Sequence, residues 1–116
     1  MSSLSTHVLD AVSGTPAAGV PVTLARRVEP SGPVPDAWVE LRVAATDADG
    51  RVRDLAPGDL EPATYRLVFA TGAYFSAAGQ PGFYPEVSVV FTVTDERHYH
   101  VPLLLSPYAY STYRGS

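Results

Sequence analysis

His98-Tyr-His-Val-Pro-Leu-Leu-Leu-Ser-Pro-Tyr-Ala-Tyr-Ser-Thr-Tyr-Arg-Gly-Ser116 is the stretch whose reading decides the fold. It opens as an alternating strand: His98, His100, Pro102 and Leu104 fall on one side, Tyr99, Val101, Leu103 and Leu105 on the other. Ser106-Pro107 breaks the run, because proline has no ladder donor and restricts the residue before it. A second alternating run, Tyr108 to Arg114, carries the chain to its end. Two strands joined by a tight turn, with histidines on one face of the first, make this segment both a fold signal and the first place to seek a site.

The rest of the chain repeats the pattern. Leu4 to Val12 reads as a strand, with Ser5, His7 and Leu9 on one face and Thr6, Val8 and Asp10 on the other. Ser13-Gly14-Thr15-Pro16 is a turn cluster. Val20, Val22 and Leu24 alternate in a second strand, where Pro21 marks a strand start or edge. Glu29 to Pro35 is a proline-rich loop. Trp38 to Thr46 alternates, with Val39, Leu41 and Val43 expected inward and Trp38, Glu40 and Arg42 outward. Asp47-Ala48-Asp49-Gly50 is a hairpin-type turn that sets Arg51 at the head of a short fourth strand. Thr64 to Thr71 puts Tyr65, Leu67 and Phe69 on one face. Ala73 to Ala78 has the only helical character, and Val87, Val89, Phe91 and Val93 mark a sixth strand. Eight short strands at spacings of about 10–12 residues, with one short helix, predict an all-β two-sheet sandwich.

Composition narrows the classes. At 116 residues, 46% apolar and 17% charged, the chain is expected to form one domain, 1–116, with a real core. Net charge is −4 and no basic stripe appears, which argues against nucleic-acid binding. Without cysteine, thiol catalysis, disulfides and cysteine-ligated zinc are excluded. Met1 to His7 lacks a basic start and an apolar signal core. No apolar run approaches the roughly 20 residues of a membrane span. The expectation is a soluble cytoplasmic protein that begins at its mature end and does not engage membranes.

The candidate chemistry centres on imidazoles. His98 and His100 share a strand face, and His7 lies mid-strand elsewhere. Three imidazoles suit zinc with an open position, or proton transfer near pH 7; the plain alternative is two solvated histidines and one buried, hydrogen-bonded one. Arg51 offers a planar fork of donors to a carboxylate or a developing oxyanion, or is simply a solvated charge. Ser111 and Ser116 stand near histidines, but no Gly-x-Ser-x-Gly elbow supports a serine nucleophile. Asp47 and Asp49 fit turn chemistry better than a calcium loop.

Four segments together resemble the transthyretin-like proteins, and most closely the 5-hydroxyisourate hydrolases of urate breakdown: Leu4-Ser-Thr-His-Val-Leu-Asp10, Gly14-Thr-Pro-Ala-Ala-Gly-Val20, Thr46-Asp-Ala-Asp-Gly-Arg51 and the stretch ending Tyr113-Arg-Gly-Ser116. The terminal Tyr-Arg-Gly-Ser is the specific part. Hormone carriers of the same architecture share Ser106-Pro-Tyr-x-Tyr-Ser-Thr112 but not this ending, nor histidine at positions 7 and 100. Ala109 departs from the glycine or serine common there. The resemblance implies a transthyretin-like sandwich of two four-stranded sheets, assembled as a homotetramer, a dimer of dimers. One sheet would hold residues 4–10, 51–54, 98–106 and 108–114, its exposed face lining a cleft between dimers. The implied reaction is hydrolysis of 5-hydroxyisourate, a purine-derived ring opened at an amide by water, with no metal and no cofactor. In that reading His7 and His100 handle the proton, Arg51 binds ring carbonyls and the tetrahedral oxygen, Tyr113 contacts the ring, and the Ser116 carboxylate orients an imidazole or the water. His98 receives no role. The rival readings are a small-molecule carrier of the same architecture and an adhesion or structural sandwich module.

Overall fold

The structure, a computed structural model, describes residues 3–28 and 37–115. The expected loop from Glu29 to Pro35 lies outside the described residues. Among those described are β1 (Leu4–Asp10), β2 (Thr15–Pro16), β3 (Pro21–Val28), β4 (Ala37–Ala45), β5 (Arg51–Val52), β6 (Ala63–Phe69), α1 (Thr71–Ala77), β7 (Val87–Val93), β8 (Tyr99–Ser106) and β9 (Ala109–Thr112). They form the two-sheet β-sandwich with one short helix that the alternation predicts. One sheet runs β4-β3-β6-β7; the other runs β2-β1-β8-β9, with β5 also paired to β1. The second sheet has five strands instead of the expected four. The difference is β2, a two-residue pairing of Thr15 and Pro16 with Asp10 and Leu9 inside the predicted turn cluster.

Side-chain alternation fills the space between the sheets. Leu4, Thr6, Val8 and Asp10 of β1 turn inward, as do Tyr99, Val101, Leu103 and Leu105 of β8. They meet Val22 and Leu24 of β3, Tyr65, Leu67 and Phe69 of β6, and Val87 and Val93 of β7. Burying a large apolar side chain contributes about 1.5–3 kcal/mol, so this set is the dominant favourable term. Helix α1 is tied down at its start and its middle. Thr71 donates its hydroxyl proton to the Tyr84 carbonyl, and the Tyr74 hydroxyl donates to Asp10 Oδ2 at 2.7 Å. The buried Asp10 carboxylate also accepts from the backbone N–H groups of Val12 and Ser13. Burial pushes its pKa up, but the Tyr74 and backbone hydrogen bonds outweigh that and hold it below the usual range.

Strand β4 departs from its expected facing. Leu24 pairs with Arg42 and Ala25 with Glu40, so Leu41 is the extra residue of a β-bulge. The bulge breaks the period of two, and Val43 lies opposite the outward-facing Thr23. Val39 and Val43 are exposed (51% and 59%), against the expectation of inward facing, and only Leu41 and Ala44 of this edge strand pack on the core. Trp38 is turned outward as expected, with the Arg66 guanidinium 4.4 Å from its ring centre.

Candidate active site

The centre of the second sheet brings the ends of the chain together. β1 and β8 are parallel neighbours, with Ser5 beside His100 and His7 beside Pro102. On the other side of β1, antiparallel β5 sets Arg51 beside His7. Because β1 is buried on its even-numbered side, Ser5, His7 and Leu9 face out, half-buried, on the face that carries His100. Three expected site residues, His7, Arg51 and His100, therefore meet on one sheet face. They come from strands up to 93 positions apart in the sequence.

Arg51 is positioned by its turn. The Asp47 carboxylate accepts from the N–H groups of Asp49 and Arg51, and the Asp47 N–H donates to the Arg51 carbonyl. Those hydrogen bonds, chiefly the one from the Arg51 N–H, hold the Asp47 pKa below its usual value. Gly50 closes the turn at φ 72° and accepts from the Val8 N–H at 2.7 Å. A Cβ there would stand 2.5 Å from the Val8 carbonyl oxygen, so only glycine fits. The turn is thus stitched to β1 one residue from His7.

A cleft of about 390 Å³ opens on this face, lined by Ser5, Thr6, Arg51, Arg53, His98 and His100. The Ser5 hydroxyl lies 2.7 Å from His100 Nδ1 and 2.8 Å from His98 Nε2, and Ser3 Oγ meets His98 Nδ1. Desolvation lowers the His100 pKa below 6.5, followed by the charge of Arg51 and then the neighbouring His98 and His7; a hydrogen bond with the Ser5 backbone works the other way. The ring is thereby kept neutral near pH 7, the form that accepts a proton. His7 Nε2 is buried and has no hydrogen-bond partner among the described residues. A buried polar atom of that kind costs stability unless something else meets it. Among the described residues no group of three His, Asp or Glu side chains is placed to hold a metal ion.

The other expected residues sit differently. Strand pairing of β9 with β8 stops at Thr112, whose hydroxyl donates to the Pro102 carbonyl, and resumes only at Gly115, which bridges His100. Tyr113, 58% exposed, does not line the Arg51 cleft. It borders a second, more apolar hollow of about 240 Å³ with His100, Phe91, Tyr99 and Arg114. Arg114 lies over the Tyr99 ring at 4.7 Å. Ser116 lies outside the described residues. Sequence reasoning leaves out Ser5, Arg53 and His98, all of which line the cleft. Their signal was parity: Ser5 is two residues from His7, Arg53 two from Arg51, and His98 two from His100.

Comparison with known proteins agrees over the whole length. The HIUase/Transthyretin family model matches residues 4–115. The 5-hydroxyisourate hydrolase of Mus musculus is 50% identical over 117 residues, covering 99% of this chain and 96% of that one. The Klebsiella pneumoniae 5-hydroxyisourate hydrolase structure matches with a TM-score of 0.85 at 38% identity, over 100% of both chains. Sea bream transthyretin in complex with thyroxine matches with a TM-score of 0.86 at 34% identity, over 97% of this chain and 93% of that one. Backbone shape is therefore common to hydrolase and carrier, and with shape, sequence and family model all in agreement, the chain belongs to the HIUase/Transthyretin family.

Proposed function

We propose that this chain is a metal-independent 5-hydroxyisourate hydrolase that opens the ring amide of its substrate by direct attack of water. The single observation that carries the site assignment is the meeting of His7, Arg51 and His100 on one sheet face, with Arg51 beside a neutral His100. The relatives at 50% and 38% identity bear the same activity in their names, which supports the reaction.

The chemistry follows from the groups present. The chain has no cysteine, and the Ser5 hydroxyl is held between two imidazoles, so in this reading water attacks the ring carbonyl. His100 Nε2 takes one proton from that water as the C–O bond forms. The negative charge that develops on the carbonyl oxygen is met by the Arg51 guanidinium. Collapse of the tetrahedral intermediate breaks the ring C–N bond, and the imidazolium returns the proton to the leaving nitrogen. His7 Nε2 binds a polar atom of the ring. In the same reading Tyr113 contacts the substrate from the neighbouring hollow, and the Ser116 carboxylate orients the water or an imidazole.

We further propose that the chain works as one domain in the cytoplasm, as a homotetramer built from two dimers with the site at the cleft between them; sedimentation would find a species of four chains. The enzymatic test is direct. Purified protein speeds the absorbance decay of freshly generated 5-hydroxyisourate, and His100→Asn removes the effect while the sandwich stays folded. Decay at the spontaneous rate sinks the reading; tight thyroxine binding in its place would favour a carrier.

A further inference from the structure

We propose that Ser5 is a two-way hydroxyl joint coupling the His98 and His100 imidazoles, so that the positive charge created when His100 takes a proton from water passes to His98 and comes back when that proton goes to the leaving nitrogen. The inference rests on the hydrolase reading for its catalytic meaning and on the Ser3–His98–Ser5–His100 chain for its geometry.

A serine hydroxyl holds one proton and two lone pairs. Ser5 Oγ contacts two ring nitrogens, 2.7 Å from His100 Nδ1 and 2.8 Å from His98 Nε2. It donates to one and accepts from the other, so the tautomers of the two rings are locked to each other. For His100 to act as a base at Nε2, its proton sits on Nδ1 and is donated to Ser5. Ser5 then donates to His98 Nε2, and His98 carries its own proton on Nδ1, directed at Ser3 Oγ.

When His100 Nε2 gains a proton, the chain shifts by one step. The His100 Nδ1–H bond breaks as an O–H bond forms on Ser5, while the original Ser5 O–H proton forms an N–H bond on His98 Nε2. Ser5 ends with one proton, His100 ends neutral as its Nε2–H tautomer, and the positive charge rests on His98. No oxidant, reductant or other reactant enters.

The surroundings favour that direction. Among the described residues, the charged or titratable groups near His100 are Arg51 and Arg53 from β5 and the residues after it, His7 from β1, His98 from the chain leading into β8, and Tyr99, Tyr113 and Arg114 at the second hollow. None of the described carboxylates lines the cleft, and Asp49 pairs with Arg53 at 3.6 Å. A cation on half-buried His100 therefore lies among like charges, whereas His98 is exposed and solvated. On its Nδ1 side His100 is met by a serine whose proton can move either way. Ser5 is accordingly a positioning residue, acting through His100.

Ser5→Ala, His98→Asn and the pair together test this. Ser5→Ala is expected to lower kcat about tenfold to a hundredfold with KM changed less than about twofold, within the range of proton-transfer effects. His98→Asn should cost a similar factor, the double variant no more than either alone, and Ser5→Thr, which keeps the hydroxyl, should recover most of kcat. Multiplying effects, or an unchanged kcat in Ser5→Ala, overturn the joint. NMR of the ring nitrogens needs no substrate. Where both rings are neutral, His98 and His100 should each carry their proton on Nδ1 in the wild type, and Ser5→Ala should release that shared choice of tautomer; mixed tautomers in the wild type overturn the proposal. If the wild type fails to hydrolyse 5-hydroxyisourate, the hydrolase reading falls, while the tautomers still decide the coupling.

Discussion

Gly115→Ala should separate the site from the fold. Gly115 is held against His100 by its N–H, which donates to the His100 carbonyl at 2.9 Å. A Cβ built there would stand 2.5 Å from His100 Cδ2, 3.1 Å from Cγ and 3.2 Å from Cβ. Ordinary contact begins at 3.4 Å, so the imidazole or the tail must retreat by about 0.9 Å. A retreat of that size breaks the 2.7 Å contact with Ser5 or the bridge itself. Misplacing a reacting group by about 1 Å can cost 10²-fold in rate, or about 2.7 kcal/mol in barrier. The folding cost is smaller, on the order of 1 kcal/mol for one lost backbone hydrogen bond, hence a Tm drop of about 4–8 °C. The assay is kcat/KM for 5-hydroxyisourate beside a thermal melt followed by circular dichroism. Activity within about threefold of wild type would refute the inference that the tail fixes the His100 ring.

Three further outcomes follow from the same geometry. The His100 pKa lies below 6.5, so the basic form is present above that value, and kcat/KM should fall only as pH drops through the lowered pKa; a pH–rate profile with its acid limb above 6.5 contradicts this. Gly50→Ala places a side chain at φ 72° and 2.5 Å from the Val8 carbonyl oxygen. It should cost roughly 2–4 kcal/mol from left-handed strain and a disturbed Val8 hydrogen bond, read as a lower urea midpoint together with weaker substrate binding through Arg51. Residues added after Ser116 shift the terminal carboxylate away from a tail that bridges His100 at Gly115; a marked loss of activity is expected, and an extended chain with full activity removes that carboxylate from the mechanism.

Strand existence and facing are local matters, and much of both is legible. The period-two patterns set Val8 and Leu103 on the faces opposite His7 and His100 and grouped Leu67 with Tyr65 and Phe69; the structure buries Val8, Leu67 and Leu103 and leaves His7 and His100 on the outer side. The same logic failed at Trp38 to Thr46, because the bulge at Leu41 depends on how β3 and β4 pair, and nothing within the segment signals it. Thr15 and Pro16 read as turn residues and became a strand because β1 offered a partner. Sequence reasoning gives His98 no role, yet its contacts come from Ser3 and Ser5, more than ninety residues away.

By itself the sequence determined the sandwich class, which residues of each regular strand share a face, and a family-specific set of polar residues including His7, Arg51 and His100. Only the tertiary structure decided that β1 runs parallel to β8 in the register that sets Ser5 beside His100, that Arg51 stands beside His7, and that Tyr113 borders a different hollow from Arg51. The physical reason is that alternation is written in neighbouring residues, whereas register between distant strands is chosen by the whole core and its backbone hydrogen bonds together.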